Sequence, residues 1–225
     1  NYSVTSQSST TAAIVKKALT ASASASNKTY NGNTTATTTL SFSGLIGSET
    51  LGQSVSSTFN NKNVGTGKTV TVNSITLSDG SNGGLADNYT ISTGQTTTAN
   101  ITAKALTVSG ITASNKTYDA NTVATLDLTG TSYSGLVAGD DISISATGTF
   151  DNKNVGTGKT VNISSSYSGV DVGNYSITDQ SSTTANITAS VSGITIRGIT
   201  ANNKNYDGNN SATLDTSNVS YSGLV

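Results

Sequence analysis

The chain has 225 residues, a formal net charge of −1 and only 10% charged residues, so it lacks the basic stripe that a nucleic-acid-binding surface needs. It contains no Cys, His, Met, Trp or Pro, which removes disulfides, thiolate and imidazole metal ligands, and the Cys–His and Ser–His catalytic pairs. No apolar run approaches the ~18 residues of a membrane span, so membrane insertion is not expected.

Ser, Thr, Asn, Gly, Ala and β-branched aliphatics fill the rest. Low charge without Pro separates this composition from ordinary disordered segments. Branched Cβ atoms favour a pleated backbone, and Asn and Gly supply turns. The expected class is all-β.

Repeats organise the chain from its first residue. Asn1-Tyr2-Ser3-Val4 returns as Asn88-Tyr89-Thr90-Ile91 and as Asn174-Tyr175-Ser176-Ile177. Val15-Lys16-Lys17-Ala18-Leu19-Thr20 returns as Thr102-Ala103-Lys104-Ala105-Leu106-Thr107. Ser26-Asn27-Lys28-Thr29-Tyr30-Asn31-Gly32-Asn33 returns at 114–121 and again at 202–209, so Tyr30, Tyr118 and Tyr206 stand 88 residues apart. Asn61-Lys62-Asn63-Val64-Gly65-Thr66-Gly67-Lys68 returns at 152–159. A period this long is a whole small domain, because solenoid units usually have ~20–45 residues.

The organisation read from these matches is the tail of one repeat at 1–17, full repeats at 18–104 and 105–192, and the head of another at 193–225. The third junction, Ala189 to Gly193, carries extra residues and no lysine. The two partial copies together lack the middle of a repeat, and the natural protein is expected to continue in both directions.

Within the second copy, Leu106, Val108, Ile111 and Ala113 predict a strand broken at Gly110. Lys116 to Asn121 is a turn, in which Ala120 replaces Gly32 and Gly208. The left-handed position is therefore expected to move to Asn121 or not to be needed. Ala124, Leu126 and Leu128, then Ile142 to Phe150, alternate as half-buried strands. Val161 with Ile163, Tyr175 with Ile177, and Ala185 with Ile187 complete about six short strands. A small antiparallel sandwich or barrel fits this pattern. A helical turn at 135–140 would allow a β-grasp-like domain instead.

Several motifs invite a chemical reading. Gly-Thr-Gly-Lys-Thr at 65–69 and 156–160 suggests a phosphate loop, but the earlier glycine is replaced by Lys62 or Lys153, so a hairpin turn is the better reading. The recurring tyrosine is expected to cover a small core while its hydroxyl bonds the adjacent turn, with sugar stacking as the alternative. Lys28, Lys116, Lys204, Lys62, Lys153, Lys68 and Lys159 are expected to be solvated lysines guarding strand edges, with Lys–Asn isopeptide bonds as the sharper reading. Asp140, Asp141 and Asp171 could hold Ca²⁺, yet Ser48 and Glu49 stand at the first pair in the other copy, so acidic turns are favoured. Asn-x-Ser/Thr sites such as Asn100 and Asn186 raise glycosylation.

Taken in order, Lys-Thr-Tyr-Asp/Asn-Gly, Ser-Gly-Leu-Val-x-Gly-Asp, Phe-x-Asn-Lys-Asn-Val-Gly-Thr-Gly-Lys and Ala-Asn-Ile-Thr-Ala resemble the YDG-type repeats of large secreted bacterial adhesins related to filamentous haemagglutinin. The departures are Asn31, Ala120 and the loop Leu45-Ile46-Gly47-Ser48-Glu49. The resemblance implies an extracellular, cell-surface location and a stalk, filament or biofilm-matrix role. The expected partners are neighbouring repeats and laterally associated fibres, with any glycan or receptor bound through other regions. Catalytic, cofactor and metal sites are not expected. The repeat signature, Lys28, Tyr30, Gly32, Lys116, Tyr118, Asp119, Lys204, Tyr206, Asp207 and Gly208, is read as structural. A repeated weak glycan- or protein-binding module acting through avidity is the second reading.

Overall fold

Strands form where apolar and β-branched residues alternate, and turns form at the Asn-Gly clusters between them. The computed structural model describes residues 1–5, 9–190 and 193–223; the end of the second repeat at 191–192 lies outside the described residues. The chain packs as two compact units. One comprises residues 1–106, 135–142 and 169–176, and the other 107–134, 143–168 and 177–225.

The first unit contains β1 (Lys17–Ala25), β2 (Lys28–Thr29), β3 (Thr35–Ala36), β4 (Thr38–Ser43), β5 (Leu51–Phe59), β6 (Gly65–Asp79), β7 (Tyr89–Ile91) and β8 (Thr96–Thr102). They build a five-stranded sheet in the order β2-β8-β6-β5-β3 and a three-stranded sheet in the order β4-β1-β7. Most pairs are antiparallel, but β1–β7 and β2–β8 run parallel, which the hairpin-like spacing does not reveal. Val70 and Val72 share one face of β6 by the period of two and are fully buried with Phe59, Ile101 and Tyr30. Each such side chain contributes about 1.5–3 kcal/mol by leaving water.

The second repeat follows the same plan with β9 (Lys104–Ser109), β10 (Thr112–Ala113), β11 (Lys116–Thr117), β12 (Val123–Ala124), β13 (Leu126–Asp127), β14 (Ser132–Ser134), β15 (Ser143–Phe150), β16 (Gly156–Ser168), β17 (Tyr175–Thr178) and β18 (Ser182–Thr188). Its large sheet, β11-β18-β16-β15-β12, matches that of the first copy strand for strand. Ala124, Phe150, Val161, Ala185 and Ile187 form the core cluster, with Tyr118 packed against it. Gly110, at φ +86, splits the strand that runs unbroken as β1 in the first copy. A Cβ there would meet the Gly130 carbonyl at 2.3 Å, so this crossing requires glycine. The head at 193–223 forms β19 (Thr195–Arg197), β20 (Thr200–Ala201), β21 (Leu214–Asp215) and β22 (Ser220–Ser222). Its Ile196, Leu214 and Tyr221 stay more than half exposed.

Three local expectations are corrected. Residues 135–140 make a turn, closed by the Asp140 N–H on the Val137 carbonyl at 3.1 Å, and not a helical turn. The only helical pieces among the described residues are single 3₁₀ turns at Ala86–Asn88 and Val172–Asn174, so no helix crosses either large sheet as a β-grasp would require. Gly-Thr-Gly is not the hairpin turn. It is a bulge inside β6 and β16, where the register against β8 and β18 shifts between Gly65 and Lys68 and between Gly156 and Lys159. Finally, Ala120 keeps the left-handed position at φ +62, beside φ +80 at Gly32 and φ +78 at Gly208.

Candidate functional site

The left-handed residue survives at Ala120 because the neighbouring lysine holds the loop. Lys116 Nζ donates to the Asn121 carbonyl (2.9 Å), Asn121 Oδ1 (2.8 Å) and the Val123 carbonyl (3.1 Å), and pairs with Asp119 at 2.7 Å. Lys28 does the same with Asn31, Asn33 and Thr35, and Lys204 with Asp207 and Asn209. These ammonium groups are loop organisers and not solvated edge guards. Lys28 and Lys116 also sit 5.4 and 5.6 Å over the rings of Phe59 and Phe150, which ties the loop to the core. The Lys–Asn contacts in these loops have hydrogen-bond geometry.

The organised loop delivers Tyr30. Its N–H donates to the Thr102 carbonyl (2.8 Å), its ring is 1% exposed, and its hydroxyl donates to Asp140 Oδ2 at 2.8 Å. The expectation that this hydroxyl bonds the adjacent turn is therefore overturned. Its partner lies 110 residues away, on a loop that belongs by sequence to the second repeat but folds within the first unit.

Around that contact the first unit assembles a closed polar cluster. Tyr175 donates its hydroxyl to the same Asp140 oxygen at 2.6 Å and accepts the Val137 N–H at 2.9 Å. Its ring meets Tyr30 edge to face at 5.5 Å between centroids. Lys62 spans both carboxylates, 3.1 Å from Asp140 and 2.8 Å from Asp171. Asp171 also accepts the Asp141 N–H at 3.1 Å, and buried Asn174 accepts the Val64 N–H at 2.9 Å. Gly32 completes the fit, because a Cβ there would lie 2.8 Å from Val137 Cγ1.

Charge in this cluster is balanced by proximity. Burial works against the ionised form of Asp140, yet the Tyr175 and Tyr30 hydroxyls and the Lys62 ammonium together hold its carboxyl below the usual range. Lys62 is the main cause that lowers Asp171, helped by the Asp141 amide. Asp171 in turn holds Lys62 above the ordinary lysine value, with the Tyr30 hydroxyl and Asp140 adding to it. Burial first, and then Asp140, push Tyr175 up to about 12. Two of the three aspartates considered for Ca²⁺, Asp140 and Asp171, are thus bridged by an ammonium of the same chain. Among the described residues no group of three acidic side chains is placed to hold a metal.

The phosphate-loop reading is answered in the same way. The Gly67 and Gly158 N–H groups donate to Asn100 and Asn186 at 2.8 and 2.7 Å, and Lys68 and Lys159 reach Asn61 and Asn152 at 2.6 and 2.7 Å. The donors that would cradle a phosphate are already used. The same bonds engage the side-chain oxygens of Asn100 and Asn186, and not the Nδ2 atoms a glycan would take, at two of the glycosylation sequons.

The repeat signature is engaged unevenly. Tyr30, Gly32 and Lys28 take part in or support the cluster. Tyr118 packs half-buried against its core, with Lys116 and Asp119 ordering its loop, while Tyr206 is 97% exposed beside the Lys204–Asp207 pair and Gly208. Sequence reasoning grouped Asp140 with Asp171 but did not connect them with Lys62, Asn174 and Tyr175. The recurrence of Lys62, Asn174 and Tyr175 was visible, but nothing along the chain indicates that they meet the aspartates. Among the described residues no helix is long and apolar enough to cross a membrane.

The recurrence of these residues has a counterpart among known families. No curated protein and no solved structure matches the chain. The family described as the YDG domain matches it twice, at residues 15–99 and 102–185, and the chain therefore belongs to the YDG domain family as a tandem of two such domains.

Proposed function

We propose that the chain is a non-catalytic structural segment of an extracellular bacterial adhesin, in which YDG repeats are locked end to end into a stalk or filament. The observation that carries this reading is the use made of the repeat's own signature. Tyr30, Gly32 and Lys62 spend their ring, their small volume and their charge on the next repeat's Val137, Asp140 and Asp171. A binding module acting through avidity would keep such groups free for a ligand, whereas Tyr30 is 1% exposed. A catalytic site would leave a base or nucleophile unsaturated, whereas these carboxylates and this ammonium satisfy one another.

The resemblance to repeats of filamentous-haemagglutinin-like adhesins supports the extracellular placement and the fibre. At roughly ten strand residues of length, each repeat would extend the fibre by about 35 Å. Cryo-electron microscopy of the native protein, with antibody labelling of unpermeabilised source cells, tests this. A surface-exposed fibre with a domain-sized axial repeat is expected. Discrete particles with a recurring non-protein density in each repeat would overturn it in favour of a binding module.

A further inference from the structure

The sheet order places the first strands of a repeat beside its last ones. In the first copy β2 lies parallel to β8, with Lys28 opposite Ile101 and Thr29 opposite Thr102. β1 lies parallel to β7 in the same way, with Lys17 to Leu19 opposite Tyr89 to Ile91. The chain enters this repeat through β1 and leaves it through β8, with Ala103 alone between β8 and β9. Tension on those two ends draws β1 and β2 backward along their own direction and β8 forward along the same direction. Parallel neighbours drawn in this way slide past each other, so the evenly spaced bonds between them are strained together. Strands drawn apart from one end lose those bonds one at a time.

The seam between β2 and β8 is built against sliding. The Tyr30 N–H donates to the Thr102 carbonyl at 2.8 Å, the Asn100 N–H to Asn27 Oδ1 at 2.7 Å, and the Thr102 hydroxyl to the Lys28 carbonyl at 3.4 Å. The Asn27 side chain thus extends the seam by one residue before β2 begins. The same three bonds recur between β11 and β18, also parallel, from Tyr118 to Thr188 at 2.8 Å, Asn186 to Asn115 at 2.7 Å and Thr188 to Lys116 at 3.3 Å. Behind the first seam, Lys28 Nζ is tied to the Asn33 and Thr35 carbonyls, and the Tyr30 and Ile101 side chains are buried. β2 cannot slide without opening that cage and withdrawing the tyrosine ring from the core.

We infer that Asn27-Lys28-Thr29-Tyr30 and Asn100-Ile101-Thr102 form a shear clamp, repeated as Asn115 to Tyr118 with Asn186 to Thr188, whose function is to keep each domain folded while tension passes along the chain. Its use rests on the stalk reading, because a tethered fibre is what draws a domain at both ends, whereas the clamp geometry is independent of it. A clamp separates mechanical from thermodynamic weight. The hydrogen bond between Thr38 and Ser57, away from the seam, adds to stability but is still intact when the seam parts, so it does not set the rate of forced unfolding.

The chain contains no Cys, so handles for optical tweezers can be attached at introduced pairs in the full 225 residues. Lys17→Cys with Ala103→Cys strains the first seam in shear, and Ser26→Cys with Thr98→Cys, at the end where β2 begins, peels it; all four positions are exposed. At equal force the first repeat should survive at least about tenfold longer in shear than in peel, since several bonds part in one step and each is worth about fivefold in rate. In shear, Asn27→Ala should shorten the lifetime about fivefold, while Ser57→Ala should change it less than about twofold yet lower the denaturation midpoint. Equal lifetimes in the two directions, or an Asn27→Ala effect no larger than that of Ser57→Ala, overturn the clamp. The comparison of directions decides the matter even where Asn27→Ala fails to fold. Loss of the clamp leaves the stalk reading standing; discrete particles by microscopy remove the stalk and leave the clamp as a property of the domain.

Discussion

Two tyrosines with the same neighbours in sequence have different surroundings in the fold. Tyr30 is sealed, with its hydroxyl on Asp140 and its ring against Tyr175, while Tyr118 rests half-buried on its own core. Both loops are organised by the same lysine cage, and both lysines sit over a phenylalanine. The difference therefore comes from what covers the loop and not from the loop itself. The repeat prepares the edge locally, and a loop from the following repeat turns the prepared edge into a core.

Truncation should separate the two tyrosines most strongly. Tyr30→Ala removes a buried ring from a packed cluster and should cost about 3–5 kcal/mol. Tyr118→Ala, which removes a less buried ring with a free hydroxyl, should cost about half as much. Chemical denaturation of the two variants measures the gap, and equal losses would break the comparison.

Acid should act on the sealed edge next. Asp140 and Asp171 titrate below the ordinary carboxylate value in the folded chain. Their contribution is complete above the unfolded value near pH ~4 and is lost as pH falls through the lower folded values. Lys62 is raised and Tyr175 lies at about 12, so the alkaline limit comes only above pH ~10. Amide protection at 135–142 and 169–176 should thus hold from pH ~5 to ~9 and fall below pH ~4 before that of β6. The loop around Tyr118 keeps only the half-exposed Asp119, itself lowered by Lys116, so its acid-induced loss should be smaller.

A smaller effect belongs to the other copy. Ala120 pays for its left-handed backbone, so Ala120→Gly should raise stability by about 1 kcal/mol, read as a higher denaturation midpoint. Gly32→Ala should do the opposite, because it adds both that strain and a 2.8 Å contact with Val137.

These comparisons also show which features were legible in the sequence. The alternation at Ile142 to Phe150 and the break at Gly110 reported strands correctly, because period two and a glycine crossing are local properties. The parallel pairs β1–β7 and β2–β8 were not legible, since each joins segments about 70 residues apart. The bulge at Gly-Thr-Gly was mistaken for a turn because a positive-φ glycine serves both, and only the Asn100 and Asn186 side chains across the sheet distinguish them. Asp140 and Asp171 were singled out as acidic neighbours. That the cation between them is Lys62 required the fold, because 78 residues separate Lys62 from Asp140.

The central claim is that the signature tyrosine is energetically coupled to the following repeat's aspartate. A double-mutant cycle with Tyr30→Phe, Asp140→Ala and the combined variant, followed by equilibrium denaturation, addresses that coupling alone. The lock predicts single losses that fail to add, with a coupling of about 1–2 kcal/mol. Losses that sum to within about 0.5 kcal/mol would contradict it, leaving the Tyr30–Asp140 contact a coincidence of packing.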